Sequence, residues 1–376
     1  MLKLLTIVGA RPQFIKAAAL SYCINNEFQH LITEKILHTG QHYDTNMSAV
    51  FFNELHIPLP YKNLHTGSAS HGDQIARMIS EIEKEILAER PDAIVIYGDT
   101  NSTLAAALAA CKLHIPVAHI EAGMRSYNKH MPEELNRITA DQAASFLFCT
   151  SQSAVNNLIR ENFNFKKKEN VSINNPLVMN TGDLMYDAFE LFTSKLKYDS
   201  QTMKQLKLSD GHYFLASVHR DFNVDNANSL KNIVAALETI AKSENMPVVF
   251  PAHPRTRRSM IQHQIKFNAR LLYMIEPVSY LEMIWLEKNA ALIITDSGGV
   301  QRESFFCKKP CVVLRNETEW QELVKNGNSM LTKITATDIV NAVNKMKNKK
   351  RFTYPPIFGD GHAARLICNS LIKHLS

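Results

Sequence analysis

The chain has 376 residues, a formal net charge of +6, 45% hydrophobic and 21% charged residues, the balance of an ordinary globular protein with length for two domains. No apolar run reaches the roughly 20 residues that span a bilayer, which excludes a membrane-spanning helix. The start MLKLLTIVGARP carries no cleavage-site pattern and reads as a first strand.

Short apolar runs then alternate with helical patterns. KLLTIVG (3–9), EKILHTG (34–40), AIVIYGD (93–99), VAHIEAG (117–123) and FLFCTS (146–151) read as strands, with helical stretches such as 73–90 and 101–114 between them. A polar stretch, NFKKKENVSINNP (164–176), breaks the alternation. It resumes with YFLASVHR (213–220), PVVFPAHP (247–254), LLYMIEP (271–277), ALIITDSGG (291–299) and PCVVLR (310–315). Strands apolar on both faces, alternating with helices, specify parallel doubly wound sheets. The expected class is therefore α/β with two Rossmann-like domains facing across a cleft, residues 1–175 and 176–356. An amphipathic helix in 357–376 is expected to pack back on the body.

The six cysteines are scattered, most of them in apolar stretches, and complete no zinc pattern. Reduced thiols in a cytoplasmic protein follow. The basic runs FKKKEN (165–170) and MKNKKRF (346–352) stand beside no nucleic-acid-binding motif and read as solvated faces.

Ligands of doubly wound sheets bind beyond the carboxyl ends of the strands, and this chain concentrates polar residues there. Arg11 and Lys16 follow the first strand, and Asp99, Glu121, His219, Arg220, His253 and Arg255 end later ones. Glu133 and Glu134 open a helix behind Pro132. Asp99-Thr100-Asn101-Ser102 also reads as a helix cap, and a lone histidine at a strand end is commonly a hydrogen-bonding core group. So many charged ends in one chain point instead to a polar cleft. Arg11 and Lys16 suit a pyrophosphate. In TDSGGVQRES, the backbone N–H groups of Gly298 and Gly299, with the Ser297 side chain, can meet a phosphate at a helix N-terminus. Glu303 further along that helix can take ribose hydroxyls. The alternative is a tight turn that needs glycine for packing. No GxGxxG fingerprint and no GKS or GKT loop is present, so hydride transfer and ATP hydrolysis lose support. No third ligand completes a metal triad, and no metal is expected. Asp99, Glu121 and Glu133 in a partly dry cleft cannot all ionise freely, which suits proton removal and return.

In these residues the sequence resembles the non-hydrolysing UDP-N-acetylglucosamine 2-epimerase family over nearly its whole length. GARPQFIK (9–16), HTGQHYD (38–44), GDTNSTLA (98–105), HIEAGMRS (119–126), MPEELNR (131–137), SVHR (217–220), AHPR (252–255), LIITDSGGVQRES (292–304) and GDGHAA (359–364) carry the resemblance. It implies the GT-B-type architecture, a homodimer, a UDP-sugar substrate and no redox cofactor or metal. It also implies the chemistry: a proton leaves C2 while UDP leaves C1, giving a 2-acetamidoglucal, and both return with C2 inverted, in the supply of bacterial surface-polysaccharide precursors. By resemblance, Asp99, Glu121 and Glu133 are the acid/base carboxylates and His219 the histidine beside them. Arg11, Lys16, His253, Ser297, Gly298, Gly299 and Glu303 bind substrate.

Three motifs depart from the N-acetylglucosamine branch: GARPQ (9–13), HRDFN (219–223) and TEWQE (318–322), with Trp320 where that branch has arginine. GARPQFIK and TEW resemble a branch acting on UDP-2,3-diacetamido-2,3-dideoxyglucuronic acid. The C6 carboxylate of that substrate calls for a cation, and Arg220 and Arg125 are the candidates. The region after TGQH lacks the branch's usual ML, which bears on a regulatory UDP-N-acetylglucosamine site. Competing readings are a hydrolysing 2-epimerase, a glycosyltransferase of the same fold and a silent UDP-sugar sensor.

Overall fold

The computed structural model describes residues 1–41, 58–165, 170–195, 200–268 and 270–376. The region after TGQH (42–57) and the core of the first basic run (166–169) lie outside the described residues. The chain forms two compact units, Met1–Ser194 with Pro356–Ser376, and Lys195–Pro355.

The first unit is built on a seven-stranded sheet. Its strands are β1 (Leu2–Val8), β2 (Ile32–His38), β3 (Lys62–Asn63), β4 (Ala93–Tyr97), β5 (Val117–Ala122), β6 (Phe146–Cys149) and β7 (Leu177–Asn180). They are ordered β3-β2-β1-β4-β5-β6-β7, and each pairs in parallel with its neighbours. All five residues of the central β4 are buried, which is why that stretch reads as an unbroken apolar run. The helices are α1 (Arg11–Cys23), α2 (His71–Glu89), α3 (Asn101–Lys112), α4 (Pro132–Ala143), α5 (Gln152–Arg160) and α6 (Leu184–Lys195). The boundary expected after residue 175 falls inside this unit. Leu177 of β7 pairs with Phe146 of β6, so the chain completes the first sheet before it leaves.

The second unit carries a six-stranded sheet, ordered β10-β9-β8-β11-β12-β13. The strands are β8 (Phe214–Ser217), β9 (Val248–Pro251), β10 (Leu272–Ile275), β11 (Leu292–Thr295), β12 (Cys311–Val313) and β13 (Ser329–Leu331). They are again parallel. Side chains alternate between two cores. Phe214 and Ala216 join one with Leu230, Ile233 and Leu237, while Tyr213 and Leu215 join the other with Leu286 and Val300. The helices are α7 (Gln201–Gln205), α8 (Asp221–Val224), α9 (Ala227–Ser243), α10 (Pro254–Gln262), α11 (Tyr280–Asn289), α12 (Gly298–Phe306), α13 (Gln321–Lys325) and α14 (Ala336–Lys347).

The final helix, α15 (Ala363–Leu375), belongs to the first unit. Asp187 of α6 accepts hydrogen bonds from the N–H groups of Ala363 and Ala364, at 3.1 and 2.8 Å. It thereby satisfies donors that open the helix. Burial lifts this carboxyl from 3.8 to about 6, against those two N–H donors. A raised folded-state pKa contributes stability most fully below 3.8 and loses it as pH rises through about 6. Replacing Asp187 with Ala removes the acceptor. The helix should open more easily by about 0.5–2 kcal/mol, read as faster amide exchange across 363–375. Unchanged exchange there would contradict the anchoring role.

Candidate active site

In each sheet the strand order reverses once, and several of the expected site residues stand at that reversal. In the first sheet it lies between β1 and β4. Arg11 opens α1 just after β1, and Gly98 and Asp99 follow β4. In the second it lies between β8 and β11. His219 follows β8, and Ser297 follows β11. Diverging helices leave a crevice at such a point.

Glu121 is held in a left-handed backbone conformation. Its φ is +73°, and the register of β5 against β6 shifts between Ile120 and Ala122. Such a bulge re-aims a side chain at a strand end, and a left-handed non-glycine residue there marks strain held for a purpose. The carboxylate forms an ion pair with Lys16, whose side chain is buried. Lys16, expected at a pyrophosphate, is thus engaged by Glu121. Gly98, at φ +63°, leaves the room: a β-carbon there would stand 3.4 Å from Glu121 Oε2 and 3.9 Å from Lys16 Nζ.

Glu121 therefore lies beside Gly98, the residue that precedes Asp99. The Asp99 carboxylate pairs with Arg137 of α4, and its carbonyl accepts from Asn136 Nδ2 at 2.9 Å. The acidic pair that opens α4 divides. Glu134 is buried and accepts from Ser126 N, Ser126 Oγ and Tyr127 N, each at 2.9 Å. It clamps the preceding loop. Glu133 stays partly exposed in the first turn.

Sequence reading missed the buried polar groups behind these carboxylates. Gln13 is one: its Oε1 accepts from the N–H groups of Gly9 (2.8 Å) and Ala10 (3.0 Å). Its amide nitrogen donates to the Tyr97 carbonyl at 2.8 Å and reaches the hydroxyls of Thr100 and Thr103 at 3.0 Å. Gln13 thus ties the turn carrying Arg11 to the turn carrying Asp99. Asp141 is another. It pairs with Arg125 at 2.7 Å and accepts from the Gly123 N–H at 3.1 Å. Burial opposes its charge, but His119 and Arg125 outweigh burial and hold the carboxyl below its usual range. Arg125, expected as a free cation for a substrate carboxylate, is buried and also grips Glu161 at 2.6 Å.

In the second unit the organising residue is Asp296, fully buried within TDSGG. It accepts from the backbone N–H of His219 at 3.1 Å, that of Arg220 at 3.0 Å and Asn223 Nδ2 at 3.0 Å. These bonds fix the SVHR loop. Burial, helped by the Arg220 charge, lowers the His219 pKa below 6.5 against the pull of Asp296, so its imidazole is mainly neutral at neutral pH. The His253 pKa is lowered too, by burial and by His219. Its Nδ1 caps α10 by accepting from the Arg255 N–H at 3.2 Å. Arg255 is paired with Asp221 and Asp225.

Ser297 caps α12, its hydroxyl accepting from the Val300 N–H at 3.4 Å. The two glycines after it differ. A β-carbon on Gly298 would stand 2.5 Å from Glu319 Oε1 and 3.1 Å from Trp320 Nε1, whereas one on Gly299 would meet only Ser297 Oγ, at 3.7 Å. Packing within the chain explains the first glycine and not the second. Glu303, one and a half turns on, is buried beside Glu287. Trp320 stacks on Arg302, whose guanidinium carbon lies 4.1 Å from the ring centre. Among the described residues no group of three or more His, Cys, Asp or Glu side chains is placed to hold a metal ion.

The Gln13 geometry carries its own test. A glutamate there keeps the two acceptor contacts but sets a carboxylate oxygen against the Tyr97 carbonyl. Gln13→Glu should lose roughly 1–3 kcal/mol of unfolding free energy in a denaturant titration. Equal stability would show that the amide donor is dispensable.

The sequence profile of the UDP-N-acetylglucosamine 2-epimerase family matches residues 26–372. The UDP-2,3-diacetamido-2,3-dideoxy-D-glucuronate 2-epimerase of Pseudomonas aeruginosa is 44% identical over 372 residues, covering 99% of this chain and all of the relative. The crystal structure of Methanocaldococcus jannaschii UDP-GlcNAc 2-epimerase with UDP-GlcNAc and UDP superposes with a TM-score of 0.86 at 40% identity, covering 98% of this chain and 99% of that one. A Phytolacca americana protein solved with UDP-2-fluoroglucose shares the fold alone, at 12% identity and a TM-score of 0.59. With α/β units built on parallel sheets, and a match that runs nearly end to end, the chain belongs to the UDP-N-acetylglucosamine 2-epimerase family.

Proposed function

We propose that the protein inverts C2 of a UDP-2-acetamido sugar, with UDP-N-acetylglucosamine and its manno epimer as the reference pair, by eliminating and re-adding UDP. The observation that carries this reading is the strained, Lys16-paired Glu121 packed against the Gly98–Asp99 turn. A left-handed carboxylate at a strand end, beside the glycine that precedes a second carboxylate, is an arrangement for moving protons.

In the forward direction one carboxylate takes the C2 proton. The C2–H electron pair becomes the C1=C2 bond, and the C1–O bond breaks with its pair going to UDP. Re-addition reverses these changes with the proton delivered to the opposite face. Two faces require groups on two sides of C2, which Asp99, Glu121 and Glu133 supply from three different elements. A neutral His219 can donate a hydrogen bond to oxygen without itself carrying charge. The second unit holds the nucleotide. The α12 N-terminus at Ser297 and Gly299 takes the diphosphate, Glu303 takes the ribose hydroxyls, and Arg11 adds charge toward the leaving phosphate. His253, whose Nδ1 is occupied by its cap, lines the nucleotide side. A homodimer, a cytoplasmic location and a role in surface-polysaccharide precursor supply belong to the same proposal.

A second reading, the 2,3-diacetamido-uronate as substrate, is supported by Gln13, by Trp320 stacked on Arg302, and by the Pseudomonas aeruginosa relative of that name. With Arg125 committed to Asp141 and Glu161, Arg220 is the remaining candidate for the C6 carboxylate.

Glu121→Gln and Asp99→Asn should each lower kcat for 2-epimer formation by roughly 10²–10⁴-fold while UDP affinity, measured by calorimetry, changes less than about threefold. A matched loss of rate and affinity would assign the carboxylates to binding. Gly299→Val should weaken UDP binding roughly tenfold or more, a shift of about 1.4 kcal/mol. Unchanged affinity would remove the close backbone approach at that turn.

A further inference from the structure

His119 lies in the middle of β5, fully buried, where sequence reading takes it for part of an apolar strand. Its two ring nitrogens face two acceptors: Nδ1 is 2.7 Å from Asp141 Oδ1, and Nε2 is 2.8 Å from the Gly98 carbonyl oxygen. A carbonyl oxygen has no proton to give, so Nε2 must donate. Asp141 also receives the Gly123 N–H and Arg125, contacts that a carboxylate satisfies and a carboxylic acid serves poorly, so Nδ1 donates as well. A neutral imidazole has one N–H and would leave either a lone pair against the Gly98 carbonyl or the Asp141 contact without its proton. In a site with no water access that conflict is expensive.

The contact at Gly98 matters because of what that residue carries. Its carbonyl belongs to the peptide that leads into Asp99, and Glu121 Oε2 stands 3.4 Å from where a β-carbon on Gly98 would be. The Gly98 N–H donates to the Ile120 carbonyl at 2.9 Å, directly before the bulged Glu121. One imidazole thus holds the carbonyl of the peptide that leads into Asp99, beside the carboxylate of Glu121.

We propose that His119 is a positioning residue for proton transfer: protonated on both nitrogens and anchored by Asp141 and Arg125, it holds the Gly98–Asp99 peptide so that Asp99 and Glu121 meet the reacting carbon. This deepens the proposed 2-epimerase reading and rests on it for the identity of the reaction. The protonation and the peptide geometry are testable without it.

The first arm is a 15N–1H correlation spectrum of the wild-type protein at neutral pH, with His119 assigned from the loss of its signals in His119→Phe or, should that variant not fold, in His119→Gln. Both ring nitrogens should resonate as protonated nitrogens. One unprotonated nitrogen would overturn the proposal. The second arm compares His119→Gln and His119→Phe with wild type. Each should lower kcat roughly 10- to 100-fold, as expected for sub-ångström misplacement of catalytic groups, with UDP affinity within about threefold. Gln, which can replace one donor, should retain more activity than Phe. Wild-type kcat in a folded His119→Phe protein would also overturn it. If wild type itself forms no 2-epimer, the reaction assignment fails while the nitrogen spectrum still decides the state of His119.

Discussion

A carboxylate on a left-handed residue at the end of a buried strand is opposed by backbone strain, on the order of 1–3 kcal/mol, and by partial removal from water. Glu121 accepts both, and much of the first unit is arranged to hold it there. Lys16 supplies the opposing charge from one turn inside α1. Lys16 is itself buried, so losing either partner removes an opposing charge from a mostly buried one. The residue facing them is Gly98, whose φ of +63° disfavours any side chain, while a β-carbon there would lie in ordinary contact with the pair. The bulge in β5 follows from the same requirement, since a regular strand would turn residue 121 toward one face of the sheet.

The two units solve a common problem in the same way. Each carries candidate site residues on a loop after a strand, and each fixes that loop with a buried carboxylate that receives backbone N–H groups. Asp141 does so for Gly123, and Asp296 does so for His219 and Arg220. Buried acids of this kind contribute no chemistry of their own. They set the geometry in which exposed groups act, and sites held by such second supports lose rate when the support is removed.

The fold class was legible because strands buried on both faces leave apolar runs, unbroken in β4 and nearly so in β1, β5, β8 and β11. The edge strands β3, β7 and β13 were not legible. They have two to four residues and exist because a neighbouring strand offers its free edge, which is a tertiary fact. That is also why residue 175 looked like a boundary. Lys16 and Glu121 were both legible as candidates, but their pairing was not, because it depends on sheet order. Gln13, His119 and Asp141 were silent for a related reason: a buried amide or imidazole inside an apolar stretch has the pattern of a core residue until its partners are known. Arg125 misled in the opposite sense, since nothing in its sequence neighbourhood announces that Asp141 and Glu161 consume its charge.

The central claim is that carboxylates of the first unit remove and return the proton at C2 while UDP departs and returns. Proton NMR of the wild-type enzyme in D2O, with UDP-N-acetylglucosamine and then with the 2,3-diacetamido-uronate nucleotide, tests it most directly. The account predicts deuterium at C2 of an intact UDP-sugar with the 2-epimer accumulating, and the nucleotide that becomes labelled names the substrate. Epimerisation with the C2 proton retained, or no labelling of either nucleotide, would contradict it.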